Sequence, residues 1–404
     1  MNGTPVPRLF SFEFLSLCLI LVAAFCNVSV FYSFYHYLGL IGIPVVWRGF
    51  LVGLEPMAAF GLRLFVLPWL HGRNAYGLAM VSLVLLTVIS WGYLPVTSIP
   101  GLIALRVAHG AVFVLLTSSV ISLMVHFIPA DRSGQGFSAL SIAAMIPYAL
   151  IPPLTEHLLP FVRNEASIYA GVSVFSVAGL FLMIALRSSI LAAMGRMDSV
   201  LMHRPTLREI RENFSRGAIV LLLVSMLFNY LAHATLFYFM KNLSLQMQVG
   251  NVGSFFTVSM ITTISVRIFG AAILDRFNKT RLAAMVLCLL FICFMVLPHT
   301  TTPLMYYLLA ALYGASIGMA IPVLNAMLFS VSTPALRGLN TNMTLFAMDA
   351  GYFLTPYLGG VLIAYGAGFG VLFGLAGLYS LVGLLLVLVF AARRKGGQGD
   401  EGTG

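Results

Sequence analysis

Long apolar runs dominate the chain, separated by short segments rich in glycine, proline, asparagine or charge. Each run is long enough to cross a bilayer core of about 30 Å as a helix, which takes about 20 residues. The pattern therefore predicts an all-α polytopic membrane protein with twelve transmembrane helices. The twelve predicted spans are 11–37, 45–68, 75–96, 99–127, 135–158, 167–187, 217–240, 250–273, 281–298, 302–331, 338–364 and 367–392.

Composition excludes a soluble fold. The chain is 60% hydrophobic and 8% charged, whereas a soluble domain carries roughly 25% charged residues. We expect the first run to be a retained helix and not a cleaved signal peptide, because it is long and lacks a clear small-residue cleavage site. The cysteines lie inside apolar runs without metal-ligand spacing, so we expect no metal and no cofactor. They are Cys18, Cys26, Cys288 and Cys293.

The net charge of +10 reflects topology. If the N-terminus is cytoplasmic, nearly all loop Lys and Arg residues fall on the cytoplasmic side, and only Arg48, Arg163 and Lys241 fall outside. The positive-inside rule then places both termini in the cytoplasm. We expect an integral protein of a bacterial inner membrane that is monomeric, contacts lipid and binds no nucleic acid.

The connections are short except at the centre and at the tail. The central segment contains Thr206–Glu209, a capping-box pattern that predicts a short basic helix. We expect this helix to be a connector lying along the cytoplasmic surface, and a regulatory or lipid-sensing role is the alternative.

An internal repeat divides the chain into two halves. Residues of the first half match residues of the second at a nearly constant offset of 204–205 positions, in helix pairs two/eight, four/ten and five/eleven. The matched pairs are Gly49/Gly253, Arg63/Arg267, His71/Asp275, Pro129/Pro334, Arg132/Arg337 and Pro152/Pro356. Many carriers are built from such repeats, with the solute site between the halves. The predicted parts are a six-helix bundle at 1–187, a linker at 188–216, a second six-helix bundle at 217–392 and a tail at 393–404.

The same residues carry a family resemblance over the whole chain. The run 267–281 resembles the signature loop after helix eight of the major facilitator superfamily, and Arg106–Gly110 is similar to its RxxxG pattern in helix four. The runs 129–134 and 334–338 resemble its short loops after helices four and ten. The resemblance implies the major facilitator fold, two pseudo-symmetric six-helix bundles that work by alternating access. The runs 250–256 and 349–360 resemble the solute-efflux branch, although His71 replaces an acid of the signature.

Ionisable residues inside spans are costly and therefore informative. Glu55 and Arg106 are predicted at similar depth, which suggests either a proton-coupling pair or a static salt bridge. Asp349 is a further proton-coupling candidate, because Arg267 is predicted nearer the cytoplasm; a bond to polar groups such as Asn325 is the alternative. The resemblance implies an inner gate formed by Arg63, His71, Arg132, Arg267, Asp275, Arg276 and Arg337.

Other polar residues within spans are candidates for a solute cavity. An interhelical hydrogen bond is the alternative role for each Asn and His. The candidates are Asn27, Tyr32, His109, Asn229, His233, Asn325 and Tyr352. Asn229 and His233 are four residues apart and share one helix face. For the aromatic run 31–37 we expect an interfacial belt, with a solute-facing aromatic wall as the alternative.

The sequence therefore predicts a secondary active transporter of a small organic solute. It contains no nucleotide-binding GxxxxGK[ST] loop and no clustered nucleophile and base, so we expect neither an ATPase nor a membrane enzyme. Proton-coupled efflux is the favoured mode, and uptake of an organic anion is the alternative. A receptor or scaffold without transport is a more distant alternative.

Overall fold

The computed structural model describes residues 10–66, 72–128, 133–194, 207–270, 277–333 and 336–399. Within these ranges the regular structure is helical. The first part of the chain forms α1 (Phe12–Ser29), α2 (Phe34–Leu40), α3 (Val45–Val66), α4 (Gly72–Gly92), α5 (Ile99–Met124), α6 (Ser133–Leu158), α7 (Glu165–Gly171), α8 (Ser173–Ala185) and α9 (Arg187–Met194). The second part forms α10 (Leu207–Ser215), α11 (Gly217–Met247), α12 (Val252–Phe269), α13 (Lys279–Val296), α14 (Pro303–Val331), α15 (Arg337–Ala364) and α16 (Phe369–Gly399).

Twelve spans of the described residues are long and apolar enough to cross a membrane. This confirms the predicted number of transmembrane helices. The first span runs from Phe12 to Leu40 and joins α1 to α2 through a short 3₁₀ turn. The sixth span likewise joins α7 and α8.

Polar caps fix the helix starts where the apolar pattern breaks. Asn251 accepts a hydrogen bond from the Ser254 N–H at the start of α12, and Asn278 accepts from two backbone N–H groups at the start of α13. Thr302 does the same for α14. Each cap satisfies backbone donors that a helix start leaves without a partner.

The described helices pack as two compact units. The first unit takes its residues from Met1–Tyr32 and Met57–Val200. In it α1 packs against α6 and α8, and α4 packs against α5 and α8. Asn27 at the centre of this unit donates to Ser176 Oγ at 2.9 Å and accepts from Ser90 Oγ at 3.3 Å, which ties three helices together.

The second unit takes its residues from Ser33–Pro56 and Leu201–Gly404. Helix α11 lies at its centre and packs against α14, α15 and α16. The segment Ser33–Pro56 is separated in sequence from the rest of this unit yet packs within it. A methyl group on Gly49 would lie 2.7 Å from the Gly360 Cα, so this crossing of α3 and α15 requires a glycine.

The aromatic run 31–37 is not an interfacial belt. Phe31, Tyr32, Phe34, Tyr35 and Tyr37 are all at most 3% exposed. Their rings pack against protein, as when Tyr35 meets Phe239 edge to face at 5.1 Å. The expected belt is therefore wrong, because these side chains fill the interior of the protein.

Candidate functional site

A polar face of α11 forms the core of the candidate site. Asn229 is 1% exposed. Neither of its side-chain amide atoms has a hydrogen-bond partner within the described ranges. Burying an amide without a partner costs about 1–3 kcal/mol, so this residue is unfavourable for folding unless a ligand or water satisfies it.

His233 lies one turn after Asn229 and contacts α14. Its Nδ1 atom is in hydrogen-bond contact with the Tyr313 hydroxyl, and the two rings stack with their centroids 6.0 Å apart. One turn further along α14, the buried Ser316 hydroxyl has no partner in the described part of the chain. Polar groups on two adjacent helices thus lie at the same level of the second unit.

An aromatic wall flanks this polar face. Tyr352 on α15 meets His233 edge to face at 5.8 Å, and it also contacts Phe237 and Tyr238 at 5.9 Å each. Rings in this arrangement offer both edges and faces to a planar partner. The site therefore combines an unsatisfied amide with several aromatic surfaces.

Two charged residues, Arg267 and Asp349, interact with Tyr230 next to this polar face. This residue follows Asn229 in the chain and interacts electrostatically with both Arg267 and Asp349. Arg267 also interacts electrostatically with His233, and Asp349 is 6% exposed. Arg267 therefore lies within electrostatic range of the polar face of α11, and its role at the inner gate stays a prediction.

A second cluster lies in the first unit around Arg106, which is completely buried. Its guanidinium carbon lies 4.8 Å from the Phe31 ring centroid, and Phe31 in turn stacks on Tyr169 at 4.5 Å. The His109 ring meets Phe31 edge to face at 5.1 Å. A cation held against an aromatic face is stabilised by about 2 kcal/mol or more when it is desolvated.

Two predicted cavity residues have structural partners in the first unit. The Asn27 side chain bonds Ser176 and Ser90 and also donates to the Ala23 carbonyl at 2.8 Å. Tyr32 donates to Glu156. For Asn27 this supports the alternative role as an interhelical hydrogen-bond partner.

The remaining predicted residues are distributed as follows. Glu55 is 5% exposed and belongs to the second unit, whereas Arg106 belongs to the first, so their pairing stays a prediction. Arg63 and Asn325 are partly buried. The predicted gate residues outside the described ranges are His71, Arg132, Asp275 and Arg276, and the side chain of Arg337 lies outside them as well.

The sequence analysis missed Tyr313, Glu156 and Glu165. Tyr313 lies in an apolar stretch where a tyrosine is indistinguishable from a packing residue. The two glutamates lie near predicted span ends, where carboxylates are normally solvated, yet Glu165 is 3% exposed. Its position in the first turn of α7, after the Asn164 cap, is a signal that could have been used.

A small crevice within the second unit is too small to be the solute site. Its cavity volume is about 10 Å³, close to the room that one water molecule needs, and its lining includes Thr235, Phe239, Thr355 and Tyr379. Ligand pockets usually measure about 300–1,000 Å³. The polar face of α11 therefore remains the better candidate.

The fold and the twelve spans found among the described residues define an integral membrane protein with the major facilitator fold. The family model of the Major Facilitator Superfamily matches residues 222–403. Among solved structures, the nucleoside transporter NupG is similar with a TM-score of 0.73 at 13% identity, covering 94% of this chain and 98% of that one. A structure of a point mutant of NupG gives a TM-score of 0.74 at 14% identity, with 94% and 99% covered. A search of curated proteins finds no match. The family match covers the second half of the chain, and the similarity to these structures shows the fold.

Proposed function

We propose that the chain is a secondary active transporter whose solute binds against the polar face of α11. The observation that carries this proposal is the buried Asn229 amide, with neither atom bonded within the described ranges. Ionisable and polar residues inside membrane spans characteristically mark solute or ion pathways. In a carrier, such a group is satisfied by the solute in one part of the cycle and by water in another.

The chemistry around Asn229 indicates the kind of solute. A carboxamide offers a donor and an acceptor side by side, and this arrangement is complementary to the edge of a lactam or nucleobase. The rings of Tyr352 and Phe237 contact one another at 5.9 Å and provide surfaces for a planar group. Nucleosides are therefore the first solutes to test, and the similarity of the fold to that of a nucleoside transporter supports the same choice.

The driving ion in this proposal is the proton, with Asp349 and Glu55 as its binding residues. Both carboxyl groups are buried within the second unit. Asp349 shares the neighbour Tyr230 with Arg267, so a proton on Asp349 changes the charge balance beside the solute site. Efflux is the direction that the sequence resemblance favours, and uptake is tested with the same assay.

The test is transport of radiolabelled uridine and adenosine by proteoliposomes under pH gradients of either sign. We expect Asn229→Ala to lower solute counterflow by at least about 10-fold, because the variant loses both hydrogen bonds to the solute. Gln246→Ala is the matched control, since this amide is exposed on the same helix. Equal counterflow in Asn229→Ala and wild type would contradict the proposed site.

Coupling is tested separately with Asp349→Asn and Glu55→Gln. We expect one of them to abolish accumulation driven by a pH gradient while counterflow continues, because exchange needs no net proton movement. If both variants accumulate solute like wild type, neither residue binds the coupling proton. Organic anions form a second arm of the screen, since the buried Arg106 cation favours the alternative of anion uptake.

A further inference from the structure

Tyr32 and Glu156 form a partly buried contact in the first unit, apart from the proposed solute site. Tyr32 is 0% exposed, and its hydroxyl donates to Glu156 Oε1. The carbonyl oxygen of Pro152 lies 3.5 Å from the same hydroxyl. One phenol therefore has two acceptors within reach, and both belong to α6.

The sequence of α6 explains why the two acceptors lie together. Pro152 and Pro153 lie inside α6 and have no backbone N–H to donate, so the carbonyl groups one turn before them lack their usual helical donors. Residues four apart share one helix face, which places the Glu156 side chain above the Pro152 carbonyl. This local arrangement brings a carboxylate and a backbone carbonyl to Tyr32 together.

Both protonation states of Glu156 are satisfied by this geometry. When Glu156 is a carboxylate, the Tyr32 hydroxyl donates to it. When Glu156 takes up one proton from water, its new O–H donates to the Tyr32 oxygen, and the phenol hydrogen turns toward the Pro152 carbonyl. The contact gains one proton, and Tyr32 keeps a hydrogen bond with Glu156 in both states.

We propose that Glu156 and Tyr32 together form a proton-binding site of the first unit, distinct from Asp349 and Glu55. Glu156 is partly exposed and lies near the end of the span Ala139–Phe161, whereas Tyr32 is enclosed. Protonation of Glu156 changes the hydrogen bond that joins the 3₁₀ turn of the first span to α6. The proton thereby acts on the contact between two helices of this unit.

Three described helices of the first unit contribute charged and titratable groups around this pair. Helix α7 contributes Glu165 and Tyr169, both in electrostatic range of Tyr32. Helix α5 contributes Arg106 and His109, which contact the ring of Phe31 next to Tyr32. Helix α6 itself adds the exposed His157. Glu165 is the only other carboxyl among these groups in the described part of the unit, and it competes with Glu156 for the proton.

The test measures protonation directly and needs no solute. Purified protein in nanodiscs is titrated while its infrared spectrum is recorded, and a protonated carboxyl is detected by its carbonyl stretching band. We expect Glu156→Gln to remove one such titrating band. We expect Tyr32→Phe to retain the band but to move its midpoint by about one pH unit, since the carboxyl loses a charge-assisted hydrogen bond.

Matched variants separate this result from a loss of structure. Glu13→Gln removes another partly buried carboxyl at the start of α1 and should leave the band and its midpoint unchanged. Glu156→Asp keeps a carboxyl and should restore a titrating band. A band that persists in Glu156→Gln, or that disappears in Glu165→Gln instead, would overturn the proposal.

This inference deepens the proposed proton-driven transport, on which its role in the cycle rests. The infrared result does not depend on which solute is carried, so failure of the proton site and failure of the solute site can be distinguished. If uridine and adenosine are not transported but the band is lost in Glu156→Gln, the proton site stands and the solute assignment fails.

Discussion

Two asparagines illustrate how the same residue type takes opposite roles in this protein. Asn27 and Asn229 are both 1% exposed. Asn27 has partners on neighbouring helices, whereas Asn229 has none among the described residues. Their sequence contexts are equally apolar, so the sequence pattern predicted both as cavity residues and could not separate them. The roles of the two asparagines differ because residues distant in sequence provide hydrogen-bond partners for Asn27 and not, within the described residues, for Asn229.

The two asparagines should differ in their effect on stability. We expect Asn27→Ala to lower the free energy of unfolding by about 1–3 kcal/mol, because Ser90 and Ser176 lose a buried partner. Asn229→Ala should leave thermal stability unchanged or raise it, since a polar group without partners is removed. Differential scanning fluorimetry in detergent checks both, and an equal loss in the two variants would refute the assigned roles.

Gly314 marks a close crossing of α12 and α14. A methyl group at this position would lie 2.9 Å from the Ser259 Cα, with backbone and not a flexible side chain in the way. Thr263 Oγ1 donates to the Gly314 carbonyl at 2.8 Å across the same crossing. The glycine therefore allows two helices to approach to hydrogen-bonding distance.

We expect Gly314→Ala to destabilise the protein by about 1–3 kcal/mol through overpacking. Gly77→Ala is the matched control, because Gly77 is also helical and has no atom within 4 Å of the added methyl. It should be neutral or slightly stabilising, since alanine favours a helix over glycine by about 1 kcal/mol. A normal melting temperature for Gly314→Ala would argue against the tight crossing.

At the scale of elements, the helix α10 is fixed to the second unit by a pair of amides. Asn213 Nδ2 donates to Asn340 Oδ1 at 2.7 Å, and Asn340 Nδ2 donates back to Asn213 Oδ1 at 3.3 Å. Asn340 also donates to Ser332 Oγ at 2.7 Å. Both asparagines are 1% exposed. The sequence predicted a short helix here. It did not predict the attachment of this helix to α15, because the local pattern contains no information about Asn340.

Breaking this amide pair should release α10. We expect Asn340→Ala to increase hydrogen–deuterium exchange across Leu207–Ser215 by about 10-fold or more, because two or three buried hydrogen bonds are lost. Arg208→Gln removes the exposed ion pair with Glu212 and should have little effect, since such pairs contribute about 0–1 kcal/mol. Unchanged exchange in Asn340→Ala would show that other contacts hold the helix.

For the whole molecule, the number of spans could be predicted because it depends only on the length and apolarity of each run. The internal repeat and the family motifs further predicted that the chain forms two six-helix bundles. The packing of Ser33–Pro56 within the second unit was not predictable, because it depends on the contact of Gly49 with Gly360, which are far apart in sequence. The environments of Glu156 and Asp349 were likewise hidden, since hydropathy reports burial in lipid and not the partners of a side chain.

The orientation in the membrane is a prediction at the same scale. We expect Arg163→Cys to react with a membrane-impermeant maleimide in intact cells, and Arg211→Cys to react only after lysis, because the positive-inside rule places them on opposite sides. Both positions are exposed, and the four native cysteines are replaced beforehand. The reverse labelling pattern would invert the topology.

The prolines within the helices also bear on biosynthesis. Among the described spans, the three of lowest mean hydropathy are Val45–Arg63, Ala139–Phe161 and Met343–Ala364, and each contains at least one proline. Such segments partition poorly into lipid by themselves, since every backbone group without an internal partner is costly there. We infer that the translocon retains them until their more apolar neighbours emerge from the ribosome, so these three helices enter the bilayer together with those neighbours.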